Sequence, residues 1–227
     1  MKKGLTELVF VLDRSGSMGG KESDVIGGFN SVIKKQRELE GEVFVSTVLF
    51  DHDTEVLHDR KNIKDVEALT NEEYYVRGST ALLDAVGGAI HHIANVHKYA
   101  REEDKPEHVM FFINTDGYEN ASRKYSYDKI KTMIDLEKKE YDWEFIFMGA
   151  NIDSFDVASR LGIAKDRIVN TYYDDKEGIK HSYDFVEHMV RCKRSMPREV
   201  AVACMADMCF KENEYTEKRK REHKPGK

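Results

Sequence analysis

The sequence predicts an α/β fold: a doubly wound, Rossmann-like, mostly parallel six-stranded sheet with one antiparallel edge strand and helices on both faces. Three observations predict it. Short continuous apolar runs such as "ELVFVL" and "HVMFFIN" suit strands buried on both faces rather than the alternation of a half-exposed sheet. Segments of helical apolar spacing separate these runs from Glu7 to about Asn170, and such alternation builds a parallel sheet. At 227 residues, the chain can bury roughly 70% of its unfolded surface without a covalent staple.

Each element follows from local pattern. "ELVFVL" is the first strand. "SDVIGGFNSVIKKQRELEG" places Val25, Ile26, Phe29, Val32, Ile33 and Leu39 on one helical face, with Ser23 as N-cap and Gly41 as stop. "EVFVSTVLF" is the second strand, and "DTEVLHD" a short edge strand joined to it by a hairpin through Asp51 to Asp53. "NIKDVEALT" reads as a weak helical turn. "STALLDAVGGAIHHIANVHKYA" is a strong helix, and its Gly87–Gly88 pair implies close packing, because each glycine costs about 1 kcal/mol against alanine. "HVMFFIN" (strand), "SYDKIKTMIDLEKKE" (helix), "WEFIFMGAN" (strand), "DSFDVASRLG" (helix) and "RIVN" (strand) complete the alternation. "YYDDKEG" reads as a loop beside the sheet. "SYDFVEHMVRCKRSM" and "REVAVACMADMCF" are two further helices. The expected division is a domain over residues 1–210, with its core at about 5–170 and C-terminal helices over 182–210. A charged, frayed tail is expected over 211–227.

Composition narrows the function classes. Apolar residues make up 40% and charged residues 34% of the chain, with a formal net charge of −6. That balance gives no general attraction to nucleic acid or anionic membranes. "EKRKRE" near the end is basic, but its interleaved glutamates suit a solvated tail better than a nucleic-acid patch. Three cysteines, Cys192, Cys204 and Cys209, form no C-x-x-C pair, which argues against a disulfide framework or a zinc site. No apolar stretch approaches the ~20 residues of a membrane span, and the apolar start ends in Asp13 without a small-residue cleavage site. A reducing, cytoplasmic setting is the expectation.

The chemistry concentrates where the first strand ends, in "VFVLDRSGSMGG". A phosphate-binding loop is excluded: Ser15 stands at the first glycine position of the Walker pattern, and Glu22 follows Gly20–Lys21. A nucleophile elbow needs G-x-S-x-G, and "SGSMG" lacks the first glycine. A cation site fits. In an extended segment Asp13, Ser15 and Ser17 point one way and present three oxygens. "RGST" adds Thr80 at a helix start, where it can also serve as N-cap, and "FFINTDG" adds Asp116 beyond another strand. Loops at the carboxyl ends of strands meet in one crevice of an open α/β sheet. Two carboxylates and three hydroxyls suit a hard divalent ion, Mg²⁺ first, with Mn²⁺ or Ca²⁺ possible, and the lack of His and Cys argues against zinc or copper.

D-x-S-x-S, then G-S-T, then T-D-G resembles the metal-ion-dependent adhesion site of von Willebrand factor A domains, in a compact bacterial or phage style, over roughly residues 5 to 170. The resemblance implies Ser15, Ser17 and Thr80 as direct or near-direct ligands, with Asp13 and Asp116 binding partly through water. It also implies one cation rather than two, since Gly20 and Lys21 stand where some relatives carry paired aspartates. A first shell of that kind is almost neutral, so the ion stays electrophilic and accepts a partner's Asp or Glu carboxylate. The implied role is a protein-binding module, not an enzyme. Arg14, Met18, Arg77, Tyr118 and Glu119 are the candidate rim. In some relatives the final helix slides as the metal loops rearrange. A Mg²⁺-dependent phosphohydrolase built on Asp13 and a nucleic-acid accessory acting through the tail stay open as alternatives.

Overall fold

The computed structural model describes residues 1–149, 153–170 and 176–222. Six strands form one sheet: β1 (Lys2–Asp13), β2 (Glu42–Phe50), β3 (Thr54–Asn62), β4 (Pro106–Thr115), β5 (Glu144–Gly149) and β6 (Ile168–Asn170). Their spatial order is β3-β2-β1-β4-β5-β6. All neighbours are parallel except β2 and β3, so the predicted antiparallel edge is present. Strand order reverses between β1 and β4, and the carboxyl ends of those two strands flank the crevice where such folds bind ligands.

The continuous apolar strands are explained by cover on both faces. Leu8, Phe10 and Leu12 of β1 pack with α1 (Glu22–Arg37), α5 (Lys176–Ser195) and α6 (Arg198–Glu222). Val9 and Val11 pack with α2 (Leu82–Tyr99), α3 (Tyr127–Tyr141) and α4 (Ser154–Arg160). Alternate residues of one strand thus feed two cores. On the first face Phe10 meets Phe29 edge-on at 5.2 Å, an aromatic geometry that adds to simple burial.

Several boundaries differ from the sequence expectation. Lys21, not Ser23, stands before α1, because the 3-10 turn Gly16–Met18 runs into the helix through Lys21 N–H to the Met18 carbonyl, 3.1 Å. The helix ends at Arg37, short of Gly41. Gly41 serves the entry to β2 instead: its φ is +99°, and a Cβ there would approach the Gly4 carbonyl oxygen to 2.9 Å. Of the glycine pair in α2, Gly87 lies under the Tyr125 ring, 2.4 Å from where a Cβ would sit, whereas Gly88 faces open space. Of the loop expected over 172–178, residues 172–175 lie outside the described residues and 176–178 are instead the first turn of α5, which begins earlier than the expected Ser182.

The boundary expected at 210 falls inside α6, which runs on to Glu222. The reason is edge protection. β6 pairs only with β5, so its outer backbone groups need other partners. Asn213 Oδ1 accepts from Asn170 N–H at 2.8 Å, and its Nδ2 donates to the Ile168 carbonyl at 2.8 Å. Thr216 Oγ1 donates to the Asn170 carbonyl at 2.7 Å. Three side-chain bonds from α6 thus replace the missing strand. We expect the double substitution Asn213→Ala with Thr216→Val to lower stability by about 2–3 kcal/mol, read from the urea midpoint. A midpoint equal to the parent's would refute this role for α6.

Candidate metal centre

Asp13 ends β1 and Asp116 follows β4, so the two carboxylates flank the crevice from adjacent strands. Asp13 is tightly held. Its Oδ1 accepts from Ser15 N–H at 2.7 Å, and its Oδ2 accepts from the Thr115 hydroxyl at 2.5 Å. The Tyr74 hydroxyl donates to its carbonyl. Burial pushes the Asp13 carboxyl up to about 6; bonds from Thr115 and Ser15 oppose the shift, and the nearby Asp116 charge adds to it.

The hydroxyls converge by a route that differs from the expected one. The chain is not extended through Ser17; it turns in the 3-10 segment Gly16–Met18. That turn brings Ser17 Oγ to 3.0 Å from Ser15 Oγ. Thr80 is not the cap of α2, where Ala81 stands and the helix begins at Leu82. Its hydroxyl instead donates to Ser15 Oγ at 3.0 Å. Gly16 N–H donates to the Gly78 carbonyl at 3.1 Å and fixes the two loops together. Gly117 completes the cradle: a Cβ there would come within 2.9 Å of both Ser17 Oγ and Thr80 Oγ1. The structure therefore brings Asp13, Ser15, Ser17, Thr80 and Asp116 together.

Asp116 is the revealing member. Its residue is 4% exposed. Oδ2 pairs with the Lys21 ammonium, whose Nζ also donates to the Ser17 carbonyl at 3.2 Å. Oδ1 is buried without a hydrogen-bond partner. A buried carboxylate oxygen left unpaired is costly. With the Asp13 carboxylate and the hydroxyls of Ser15, Ser17 and Thr80, Asp116 makes a donor set of two carboxylates and three hydroxyls suited to a hard cation.

The rim departs from expectation. Arg14 and Met18 are fully buried. Met18 belongs to the core under α1. Arg14 is a pin, with Nε on Asp51 Oδ2 at 2.9 Å, Nη2 on Glu55 at 2.7 Å and Nη1 donating to the Glu73 carbonyl at 3.2 Å. Glu119 is half-buried and organises its loop by accepting from Leu83 N–H at 2.9 Å, Ala121 N–H at 2.9 Å and Ser122 N–H at 2.7 Å. Arg77 and Tyr118 keep exposed side chains. Sequence reasoning missed Tyr75, exposed and overlain by the Arg77 guanidinium at 5.5 Å. It also missed His52, half-exposed and packed so closely on Gly78 that a Cβ would lie 2.2 Å from its Nδ1. No sequence pattern marks either residue.

Asp51, His52 and Asp53 also lie close enough to share an ion. Their donors are already committed, however. Asp51 Oδ2 takes Arg14 and Arg77, and Oδ1 takes Asp53 N–H at 2.9 Å and His52 Nδ1 at 2.9 Å. Burial alone would raise the Asp51 pKa, but these bonds outweigh it and hold it below its ordinary value. This is the anchor of the rim rather than a second cation site.

No family model and no curated protein sequence matches the chain. Solved structures do. The chain aligns with proximal thread matrix protein 1 from the mussel byssus at 14% identity and a TM-score of 0.55, covering 82% of this chain and 46% of that one. A further structure of that protein, at 13% identity, 0.56 and 83% and 46% coverage, has a zinc-occupied metal-ion-dependent adhesion site. The vWF domain of the type V pili tip protein Mfa5 from Porphyromonas gingivalis aligns at 11% identity and 0.58, covering 87% of this chain and 99% of that domain. The chain thus spans about half the length of the mussel protein and nearly all of the pilus domain. The chain has the α/β fold of von Willebrand factor A-type domains.

The Asp13 environment fixes a pH dependence. A carboxyl raised from its ordinary 3.8 to about 6 makes the folded state take up a proton that the unfolded state does not hold. Its contribution to stability is complete below about 3.8 and is lost as pH rises through about 6. Urea midpoints of the metal-free protein should carry a component of about 2–3 kcal/mol that falls between pH 4 and 7, absent from Asp13→Asn. Identical pH profiles for parent and variant would contradict this environment.

Proposed function

We propose that the chain is a metal-dependent protein-binding module. Asp13, Ser15, Ser17, Thr80 and Asp116 hold one divalent cation, Mg²⁺ by preference, and a partner protein supplies an Asp or Glu carboxylate to it. The observation that carries this reading is the buried, unpaired Asp116 Oδ1 beside three converging hydroxyls. Lys21 places a positive charge against the other Asp116 oxygen and offsets part of the negative charge there, so a divalent ion competes with this ammonium for the carboxylate. The same ammonium disfavours a second divalent ion, in keeping with a single site. Bound there, the ion supplies an electrophilic position for an anionic oxygen.

The protein's own groups do the rest. Thr115 and Ser15 N–H fix Asp13, the Gly16–Gly78 bond fixes the loop spacing, and Gly117 leaves the cradle open. His52, Tyr75, Arg77 and Tyr118 form the rim that chooses among partners, and the Arg77 guanidinium draws an acidic one. Binding is favoured over phosphohydrolysis because Ser15 occupies the place of the second acid that such an enzyme needs two residues after Asp13. Among the described residues no helix is long and apolar enough to cross a membrane; a reducing, cytoplasmic setting belongs to the same proposal.

Calorimetric titration of MgCl₂, MnCl₂ and CaCl₂ into chelator-treated protein tests the site. Capture of partners in Mg²⁺ against chelator tests the role. Saturable binding at one site and a prey set released by chelator support the reading. No divalent binding, or an identical prey set, overturns it. Hydrolysis of simple phosphate esters that Asp13→Ala abolishes would replace it with the enzyme.

A further inference from the structure

We propose that Cys192 and Cys204 are a reversible disulfide site that ties α5 to α6. Their sulfurs lie 2.7 Å apart, within about 0.7 Å of a disulfide bond length. Met196 and Pro197 make the connection, Met196 N–H donates to the Cys192 carbonyl at 3.1 Å, and Ala201 N–H donates to the Pro197 carbonyl at 2.9 Å. The pair thus lies near the turn of a helical hairpin, with the sulfurs already close. Met208 Sδ packs 3.9 Å from Cys192 and 4.0 Å from Cys204, one helical turn beyond Cys204 on the same face of α6.

Exposure assigns the order of events. Cys204 is half-buried, whereas Cys192 and Cys209 are buried. Burial pushes the Cys192 and Cys209 thiols up to about 12. Cys204 is thus the entry thiol for a small disulfide oxidant such as oxidised glutathione. Its thiolate attacks one sulfur of the oxidant, forms a mixed disulfide and expels one glutathione thiolate. Cys192, as thiolate, then attacks Cys204 Sγ and expels the second. Two cysteine thiols are oxidised to one disulfide, the oxidant is reduced to two thiols, and the two cysteine protons end on those thiols. Cys209 sits in the core with Met205 and takes no part. The consequence is local: the covalent tie secures the first turns of α6, the helix whose later residues cover the open backbone of β6.

The test is incubation of the full chain with oxidised glutathione, followed by non-reducing peptide mapping, thiol titration and thermal melting. The expected product is an intramolecular link joining the Cys192 and Cys204 peptides. Free thiols fall from three to one, and the melting midpoint rises by a few degrees; dithiothreitol reverses all three changes. Cys204→Ser blocks the link and Cys209→Ser leaves it intact. Should Cys192→Ser fold poorly, Cys204→Ser gives the same answer from the more exposed partner. A link through Cys209, cross-linked dimers, a lasting glutathione adduct on Cys204, or three free thiols after oxidation would each overturn the assignment.

Discussion

Asp116→Ala lowers divalent-cation affinity on the order of 10- to 100-fold, as expected when a site loses a carboxylate that binds an ion directly or through water. The structure adds a second expectation that separates binding from folding. Removing Asp116 deletes a buried oxygen with no partner and a negative charge that adds to the raised pKa of Asp13. The metal-free variant should therefore be about as stable as the parent, or slightly more so, despite losing the Lys21 pair. Calorimetry in MgCl₂ reads the first quantity and urea denaturation in chelator reads the second. Unchanged affinity would remove Asp116 from the site. Lost affinity with a large loss of stability would make the carboxylate a structural group instead.

Tyr183→Ala should cost about 3–5 kcal/mol of stability, the range for deleting a buried aromatic side chain. Tyr183 of α5 lies against α1 where Gly28 provides the space; a Cβ at Gly28 would come within 2.1 Å of the ring. Its hydroxyl, buried, accepts from Asn114 Nδ2 at 3.2 Å, two residues before Asp116. The side chain is thus keyed between α1, α5 and β4, and burial drives its phenol pKa well above the ordinary value. Gly28→Ala should be destabilising from the opposite side of the same contact, because the ring and the new methyl cannot share the space. Tyr183→Phe, which keeps the ring and loses one bond, should cost only about 1 kcal/mol. A Tyr183→Ala protein within 1 kcal/mol of the parent by urea titration would mean that the cavity collapses freely and that Tyr183 does not key α5 to α1 and β4.

The sheet was legible because its signal is local. The central strands β1, β2, β4 and β5 carry their apolar runs in consecutive residues, and the helices between them carry the 3.6-residue pattern. Even the antiparallel edge followed from the short Asp51 to Asp53 hairpin. Asp13 and Asp116 were legible as candidate donors for a similar reason, since each stands at or just past the carboxyl end of a parallel strand.

The rim was not. Arg14 and Met18 follow Asp13 within five positions, yet both are buried, one by ion pairs to Asp51 and Glu55 and the other by the apolar core. Such pairings join residues about forty positions apart in the chain, so no local pattern announces them. The sequence by itself determined the sheet, the order of its helices and the five oxygen-bearing residues, since periodicity and strand-end position are properties of neighbouring residues. Only the tertiary structure decided which arginine is buried, that a 3-10 turn rather than an extended strand brings Ser17 to Ser15, and that α6 closes the β6 edge. Those outcomes depend on which distant groups compete for the same space and the same hydrogen bonds.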